Sequence, residues 1–230
     1  LYGWAKAAQR EPATIAPLRD PGRLRRALRA RATVAWFEPE LQAELTAALG
    51  LPFARTLRCP YLEDAPLVAA EVGFPVRYAV AHPASAERDV LGWESAATSD
   101  LLLAGAGPAL SAATRAHGRG AALLVASTFP RPVLATVDAR RLEGYGVVVE
   151  IALGDASARW VAPVADDEIA AALDVASPVV LDALAAATRG VVGALRSEPD
   201  VLRALVAVEA GPASFVCRHV GIHTRDAEAA

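Results

Sequence analysis

Cysteine is scarce in this sequence of 230 residues, because only Cys59 and Cys217 are present. Two thiols so far apart, with no CxxC spacing, make neither a zinc site nor a disulfide framework. Their scarcity favours a reducing compartment. On this ground we expect the protein to be cytoplasmic.

Long apolar runs are also missing. No uninterrupted run reaches the roughly 20 residues that a membrane-spanning helix needs. The segment 179–195 comes nearest, but Asp182, Thr188 and Arg189 interrupt it. No secretory signal is visible at the start. We therefore expect no membrane association, and since the first residue is leucine we expect a fragment of a longer, multidomain polypeptide.

The sequence lacks a marked excess of either charge. Charged residues make up 21% of it, and the formal net charge is -3, so bulk charge gives no case for a nucleic-acid partner. Lys6 is the only lysine, and the remaining basic residues are arginine. Hydrophobic residues, in contrast, reach 54%. That content is enough for one large domain or two smaller ones with substantial cores.

Helical and strand periodicities alternate in the first half of the chain. The predicted helices are 23–31, 38–49, 63–72 and 101–117. In the last of these, Gly105, Gly107 and Pro108 predict a break into two parts. The predicted strands are 51–58, 75–81 and 91–97.

From residue 120 the period becomes that of strands. Four successive segments have the spacing of an antiparallel meander: 121–127, 132–138, 146–153 and 158–162. The remaining predicted elements are helices 166–173 and 178–195 and strands 204–208 and 215–222. This arrangement predicts an α+β fold rather than a doubly wound one.

Several short segments resemble the sequence motifs of one known family. The similar pairs are 38–52 with "ALLxAYGIPV", 69–76 with "AxxIGYPV", 123–129 with "VLVQPMV" and 162–168 with "APLSDEE". Their order and spacing resemble the ATP-grasp portion of the NDP-forming acyl-CoA (acetate–CoA) synthetases. The resemblance covers nearly everything from Tyr2 to Val220. It implies an ATP-grasp-like, two-lobed domain with mixed and antiparallel sheets, with lobes 22–118 and 119–230 after a linker or lead-in at 1–21.

The resemblance also implies which residues would contact a nucleotide. Enzymes of this family use ATP and magnesium for phosphoryl chemistry, which needs cations near the phosphates. Arg77 falls on the strand where the family has the lysine of "VVLK", although arginine does not replace lysine freely as a phosphate contact. Arg88 and Asp89 fall in the loop that matches "SPDILHKSDVGG". These three residues are the candidate nucleotide-binding residues.

Two acids are candidate metal ligands by the same resemblance. Glu209 matches the closing "DINP" motif, and Asp155 stands in a shortened glycine loop after strand 146–153. The ordinary alternatives are a polar strand end for Glu209 and a Gly-Asp turn for Asp155. The glutamate of "GVEL" matches a position within 132–134 or a neighbouring one, and no acid stands there.

Histidines offer weaker candidates. His82 begins the loop that matches the active loop of the family, and a structural or solvated role is the alternative. His219 and His223 flank the last predicted strand, where two residues of a surface strand are the ordinary interpretation.

Since the charged residues of the family are mostly replaced, the sequence predicts a degenerate ATP-grasp module of an acyl-CoA synthetase-like protein. It would be a pseudoenzyme with no catalytic residues and a binding, regulatory or scaffolding role. The alternative is a divergent ATP-dependent acid–CoA ligase (ADP-forming) whose Arg77, Arg88 and Glu209 converge on one cleft. A third hypothesis, from helix 178–195, is an oligomerisation domain.

The resemblance implies ATP and Mg as cofactors only if activity remains. The implied partners are a CoA-binding or acetyltransferase domain in the full-length chain, or a second copy in a homo-oligomer.

Overall fold

The computed structural model describes residues 18, 20–31, 34–83 and 93–225. These residues form an α+β fold, as predicted. The helices are α1 (Pro21–Ala30), α2 (Pro39–Ala48), α3 (Ala65–Val72), α4 (Ser99–His117), α5 (Asp166–Leu173) and α6 (Pro178–Ser197). The strands are β1 (Thr56–Cys59), β2 (Val76–Ala81), β3 (Glu94–Ala96), β4 (Ala122–Ser127), β5 (Val133–Leu142), β6 (Gly146–Leu153), β7 (Ala156–Val161), β8 (Val201–Ala210) and β9 (Phe215–Thr224). A short 3-10 turn covers Leu62–Asp64.

The chain divides into two compact units. The first unit takes the described residues of Leu1–Ala27, Glu44–Pro52 and Pro132–Ala230, and the second unit takes those of Leu28–Ala43 and Phe53–Arg131. Most of the lead-in expected at 1–21 lies outside the described residues. The boundary expected between residues 118 and 119 stays a prediction.

The second unit is built on an antiparallel sheet with the order β1-β4-β2-β3. Alternate residues of β2 point to opposite faces, and each face has its own core. Tyr78 belongs to a core with α3 and α4, whereas Ala79 packs with Trp36 and Phe37. β4 lies between β1 and β2. The predicted four-strand meander was therefore wrong in its first member, because β4 is buried along almost its whole length between two partners in this sheet.

The first unit holds a five-stranded antiparallel sheet with the order β7-β6-β5-β8-β9. α6 packs on it, and twelve of its residues are buried, from Val180 to Leu195. By length and composition α6 is also apolar enough to cross a membrane, with 67% of its most apolar window buried. A helix covering a sheet core has the same character, so α6 is weak evidence for a membrane.

α4 is one helix rather than the two parts that Gly105, Gly107 and Pro108 predicted. It begins where the Thr98 hydroxyl accepts a hydrogen bond from the N–H of Leu101, at 3.4 Å. Leu102 and Ala106 are fully buried against the sheet. Tertiary burial of this kind outweighs the local preference of single residues, which is why the helix continues through the proline.

Candidate functional site

Arg77 lies on β2, in register with Ala126 of β4 and Ser95 of β3. Strand alternation places it on the same face as Ala79, beside the Trp36 and Phe37 core. Only 9% of its surface is exposed, and Nη1 donates to the carbonyl oxygen of Trp93 at 3.3 Å. The guanidinium is thus held against the sheet. Arg88 and Asp89, the other candidate nucleotide-binding residues, lie outside the described residues.

Tyr78 and Glu94 meet on the opposite face of the same sheet. They are paired in register between β2 and β3, and the Tyr78 hydroxyl donates a short hydrogen bond to the Glu94 carboxylate. Burial, followed by this hydrogen bond, raises the pKa of Tyr78 to about 12. The hydroxyl therefore remains protonated and acts as a structural donor at neutral pH.

Glu209 lies on β8 and is completely buried. Its Oε2 accepts a hydrogen bond from Nε of Arg218 at 2.8 Å, and Nη2 of the same arginine is 2.7 Å away. Ala207 pairs with His219 and the next residue, Val208, pairs with Cys217, so Arg218 is the extra residue of a β-bulge. The bulge turns Arg218 toward Glu209, and the two form a buried ion pair.

Asp155 lies in the two-residue turn Gly154-Asp155 between β6 and β7. Gly154 has a φ of 58°, a conformation that glycine adopts at little cost. The Asp155 side chain is exposed, and Leu153 pairs directly with Ala156 across the hairpin. Where the resemblance implies a glycine-rich loop, the chain thus makes a tight turn.

No three His, Cys, Asp or Glu side chains of the described residues come together as a ligand set for a metal ion. Glu209 and Asp155 are separate features of the first unit. His219 and His223 lie on β9. They pair with Ala207 and Arg203 of β8, respectively. His82 is in the second unit, where its ring stacks on that of His117 with centroids 5.1 Å apart.

A charged cluster on the first unit was not found from the sequence. Asp138 on β5 accepts hydrogen bonds from Arg140 on the same strand, at 2.6 and 3.1 Å. It also accepts two from Arg203 on β8, at 2.7 and 2.9 Å. Residues 138 and 140 are two apart on β5, so their side chains lie on the same face of the sheet. This spacing is the signal in the sequence from which the pair could have been predicted. The sequence does not give the register that adds Arg203.

Two opposing effects act on the Asp138 carboxyl. Burial alone would raise its pKa, but the hydrogen bonds from Arg203 and Arg140 outweigh burial and hold the pKa below its usual value. Asp138 is therefore ionised at neutral pH. Two guanidinium groups share this one carboxylate, so the cluster carries an excess of positive charge.

No protein-family profile matches this sequence, and none of the curated proteins matches it. Solved structures do match in fold. One is the dinucleotide forming acetyl-coenzyme A synthetase 1 of Ca. Korarchaeum cryptofilum in complex with coenzyme A, Ca-AMPCP and HgCl+. It has a TM-score of 0.65 and 17% identity, and the match covers 88% of this chain and 99% of that one.

Two further structures agree with this match. PH1788 from Pyrococcus horikoshii has a TM-score of 0.66 and 14% identity over 89% of this chain and 99% of that one. The same Korarchaeum synthetase with coenzyme A, acetyl-coenzyme A and a phosphorylated phosphohistidine segment has a TM-score of 0.60 and 16% identity, over 88% of this chain and 100% of that one. Such low identity establishes the fold and nothing finer. This chain has the α+β ATP-grasp fold of the NDP-forming acetyl-CoA synthetases.

Proposed function

We propose that this chain is a degenerate ATP-grasp module of an acyl-CoA synthetase-like protein, with a binding, regulatory or scaffolding role and no ligase activity. The observation that carries the proposal is the buried ion pair between Glu209 and Arg218. Glu209 is the acid that the resemblance assigns to the metal, and its carboxylate already has a cationic partner.

A magnesium ion would have to compete with that partner. Mg²⁺ is bound through carboxylate oxygens in a strict octahedral geometry and gives up its water reluctantly. Taking Glu209 from Arg218, which is only 4% exposed, would leave a guanidinium buried without its counter-charge. Breaking a buried pair in this way costs about 3–5 kcal/mol. The pair therefore favours a structural role for Glu209.

Two further features support the proposal. Position 134, within the segment that matches "GVEL", carries a leucine that is 43% exposed and lies opposite Glu209. The Gly154-Asp155 turn has two residues in place of a glycine-rich loop, and its one acid, Asp155, is exposed. Leu134 supplies no metal ligand, and Asp155 belongs to no group of three His, Cys, Asp or Glu side chains among the described residues that could hold a metal ion.

Calorimetry with Mg-ATP, together with an assay for ADP release in the presence of acetate and coenzyme A, tests the proposal. We expect no ADP release. We also expect the heat of Mg-ATP addition to be the same for the native chain and Glu209→Gln. Glu150→Gln, which changes an acid elsewhere on this sheet, is the matched control, and circular dichroism checks that both variants fold.

Micromolar Mg-ATP binding with ADP release, both lost in Glu209→Gln but kept in Glu150→Gln, would overturn the proposal. That result would establish the divergent acid–CoA ligase instead. Arg77 and Arg88 would then be the next positions to replace.

The module would work beside another domain. The resemblance to multidomain synthetases supports a CoA-binding or acetyltransferase domain as that partner.

Cys59 and Cys217 are free thiols in the folded chain, which supports a reducing, cytoplasmic setting. Size-exclusion chromatography of the full-length polypeptide against this chain alone tests whether the partner is in the same chain or is a second copy.

A further inference from the structure

β1 is an edge strand of the four-stranded sheet, since among the described residues β4 is the only strand paired with it. The N–H of Ser127 donates to the carbonyl oxygen of Arg55 at 3.1 Å. Counting along the strand in steps of two from Arg55, Leu57 and Cys59 are the residues of β1 whose backbone groups face β4. In an antiparallel pair these residues alternate with ones whose backbone groups point outward. The N–H and C=O groups of Thr56 and Arg58 therefore point away from β4.

An open groove of about 370 Å³ lies at this edge. We call it the β1 groove. Three consecutive residues of β1 line it together with the start of α2 and one side of α3. The lining residues are Glu38, Pro39, Glu40, Thr56, Leu57, Arg58, Val68 and Glu71. The outward-pointing backbone groups of β1 belong to two of them.

The rim of the β1 groove carries one more acid than base, because its three carboxylates are matched by the two guanidinium groups of Arg58 and Arg55. Glu38 is paired with Arg58 at 2.8 Å, and Glu71 is paired with Arg55 at 2.7 Å. Glu40 is exposed and has no ionic partner among the described residues. A cationic side chain can therefore pair with Glu40 without breaking an existing ion pair.

We propose that the β1 groove docks an extended, basic segment of a partner protein, which adds to the sheet as a fifth strand beside β1. Strand addition supplies main-chain hydrogen bonds to an exposed edge, and alternate side chains supply the specificity. Here the main-chain partners are Thr56 and Arg58. Lysine or arginine side chains of the added strand reach Glu40 and the other rim acids, while Leu57 and Val68 offer apolar contact.

The charge of the groove argues against a second copy of this chain as the occupant. A two-fold pairing of β1 with β1 would bring identical surfaces together. Each copy would then bring its unpaired Glu40 to a surface of the same net negative charge, and like charges at close range destabilise strand pairs. A basic strand from another protein meets no such penalty. The proposal does not depend on nucleotide binding.

Fluorescence anisotropy with a labelled hexapeptide of alternating lysine and valine tests the proposal. A second peptide, with proline in place of valine, keeps the charge but loses the N–H group and the strand backbone angles at every second residue. We expect saturable binding of the first peptide and about tenfold weaker binding of the second, because each net hydrogen bond contributes modestly. Glu40→Lys should weaken the first peptide by about three- to tenfold, as rim charges do.

Glu143→Lys is the matched control. It makes the same charge change at an exposed acid in the turn between β5 and β6, and it should leave binding unchanged. Amide hydrogen exchange can be measured on the native chain, so its result does not depend on whether a variant folds. The amides of Thr56 and Arg58 should become protected when the lysine–valine peptide is added.

Equal binding of the two peptides would overturn the proposal, since it would reduce the interaction to charge alone. Unchanged affinity in Glu40→Lys, or an equal loss in Glu143→Lys, would do the same. Protection of Thr56 and Arg58 that rises with protein concentration and without peptide would instead identify a second copy as the occupant.

Discussion

Tyr78 and Gly105 fit together because glycine has no Cβ. A Cβ built on residue 105 of α4 would overlap the Tyr78 hydroxyl and lie 2.9 Å from its Cζ. The same hydroxyl donates its hydrogen bond to Glu94 on β3. Gly105 therefore lets a helix approach the sheet closely enough for Tyr78 to be buried with its polar end satisfied.

Replacing Gly105 with alanine should destabilise the chain by about 1–3 kcal/mol, the usual cost of overpacking a core. In an ordinary helix interior the same change would stabilise by about 0.5–1 kcal/mol. Gly107→Ala is the control on the same helix, because its Cβ would meet only the end of the Leu62 side chain, at 3.3 Å. Urea unfolding followed by circular dichroism measures both. Equal stabilities of the two variants would contradict the prediction.

Asp138 should make stability depend on acid pH. Its pKa is lowered in the folded chain, so its contribution is present above the unfolded value of 3.8 and is lost as pH falls through the folded value. We expect Asp138→Asn to be less stable than the native chain at pH 7, and the difference should shrink below pH 3.8. Free energies of unfolding across that range check this. A gap between the two chains that is constant with pH would contradict it.

Glu209 and Arg218 should be strongly coupled in a double-mutant cycle. Glu209→Leu alone should cost about 3–5 kcal/mol, because it removes the carboxylate that faces the buried Arg218 guanidinium. Arg218→Met is the other single change of the cycle. The double variant Glu209→Leu, Arg218→Met should recover most of that loss, since buried pairs can be replaced by apolar side chains at little cost. Additive effects of the two single changes would show that the ion pair contributes nothing of its own.

Cys217 should be unreactive toward alkylation in the folded chain. Its thiol is fully buried, and burial raises its pKa from 9.0 to about 12. We expect iodoacetamide at pH 8 to leave Cys217 unmodified in the native chain and to modify it in urea, as judged by mass spectrometry. Its contribution to stability should be complete below pH 9 and lost as pH rises toward about 12. Rapid native-state alkylation of Cys217 would contradict this.

Much of the element order followed from sequence periodicity, and some bounds were correct to the residue. β6 (Gly146–Leu153) and α5 (Asp166–Leu173) match their predictions, because each has a strong apolar period and clear end signals. The sheet that contains β4 did not follow, since pairing across a long sequence distance leaves no local mark. The continuity of α4 through Pro108 was missed for the same reason, because tertiary burial decides it.

For the candidate site, the sequence predicted which residue types are present but not which of them are in contact. The sequence marked Glu209 as an acid at a strand end, but the β-bulge that turns Arg218 toward it is a property of two strands in register. The cluster of Asp138 with Arg203 likewise joins residues on different strands. A single sequence does not show which charged residues on different strands are neighbours. It does show charged residues that are two apart on one strand and therefore share a face.

The turn at Gly154-Asp155 makes loop length an experimental variable. Exposed hairpin tips accept insertions well, because no buried backbone hydrogen bond has to be broken. A glycine-rich segment grafted between β6 and β7 would therefore lengthen the hairpin without disturbing the sheet beneath it. A graded series of such insertions would measure how the affinity for phosphate depends on the length of this loop.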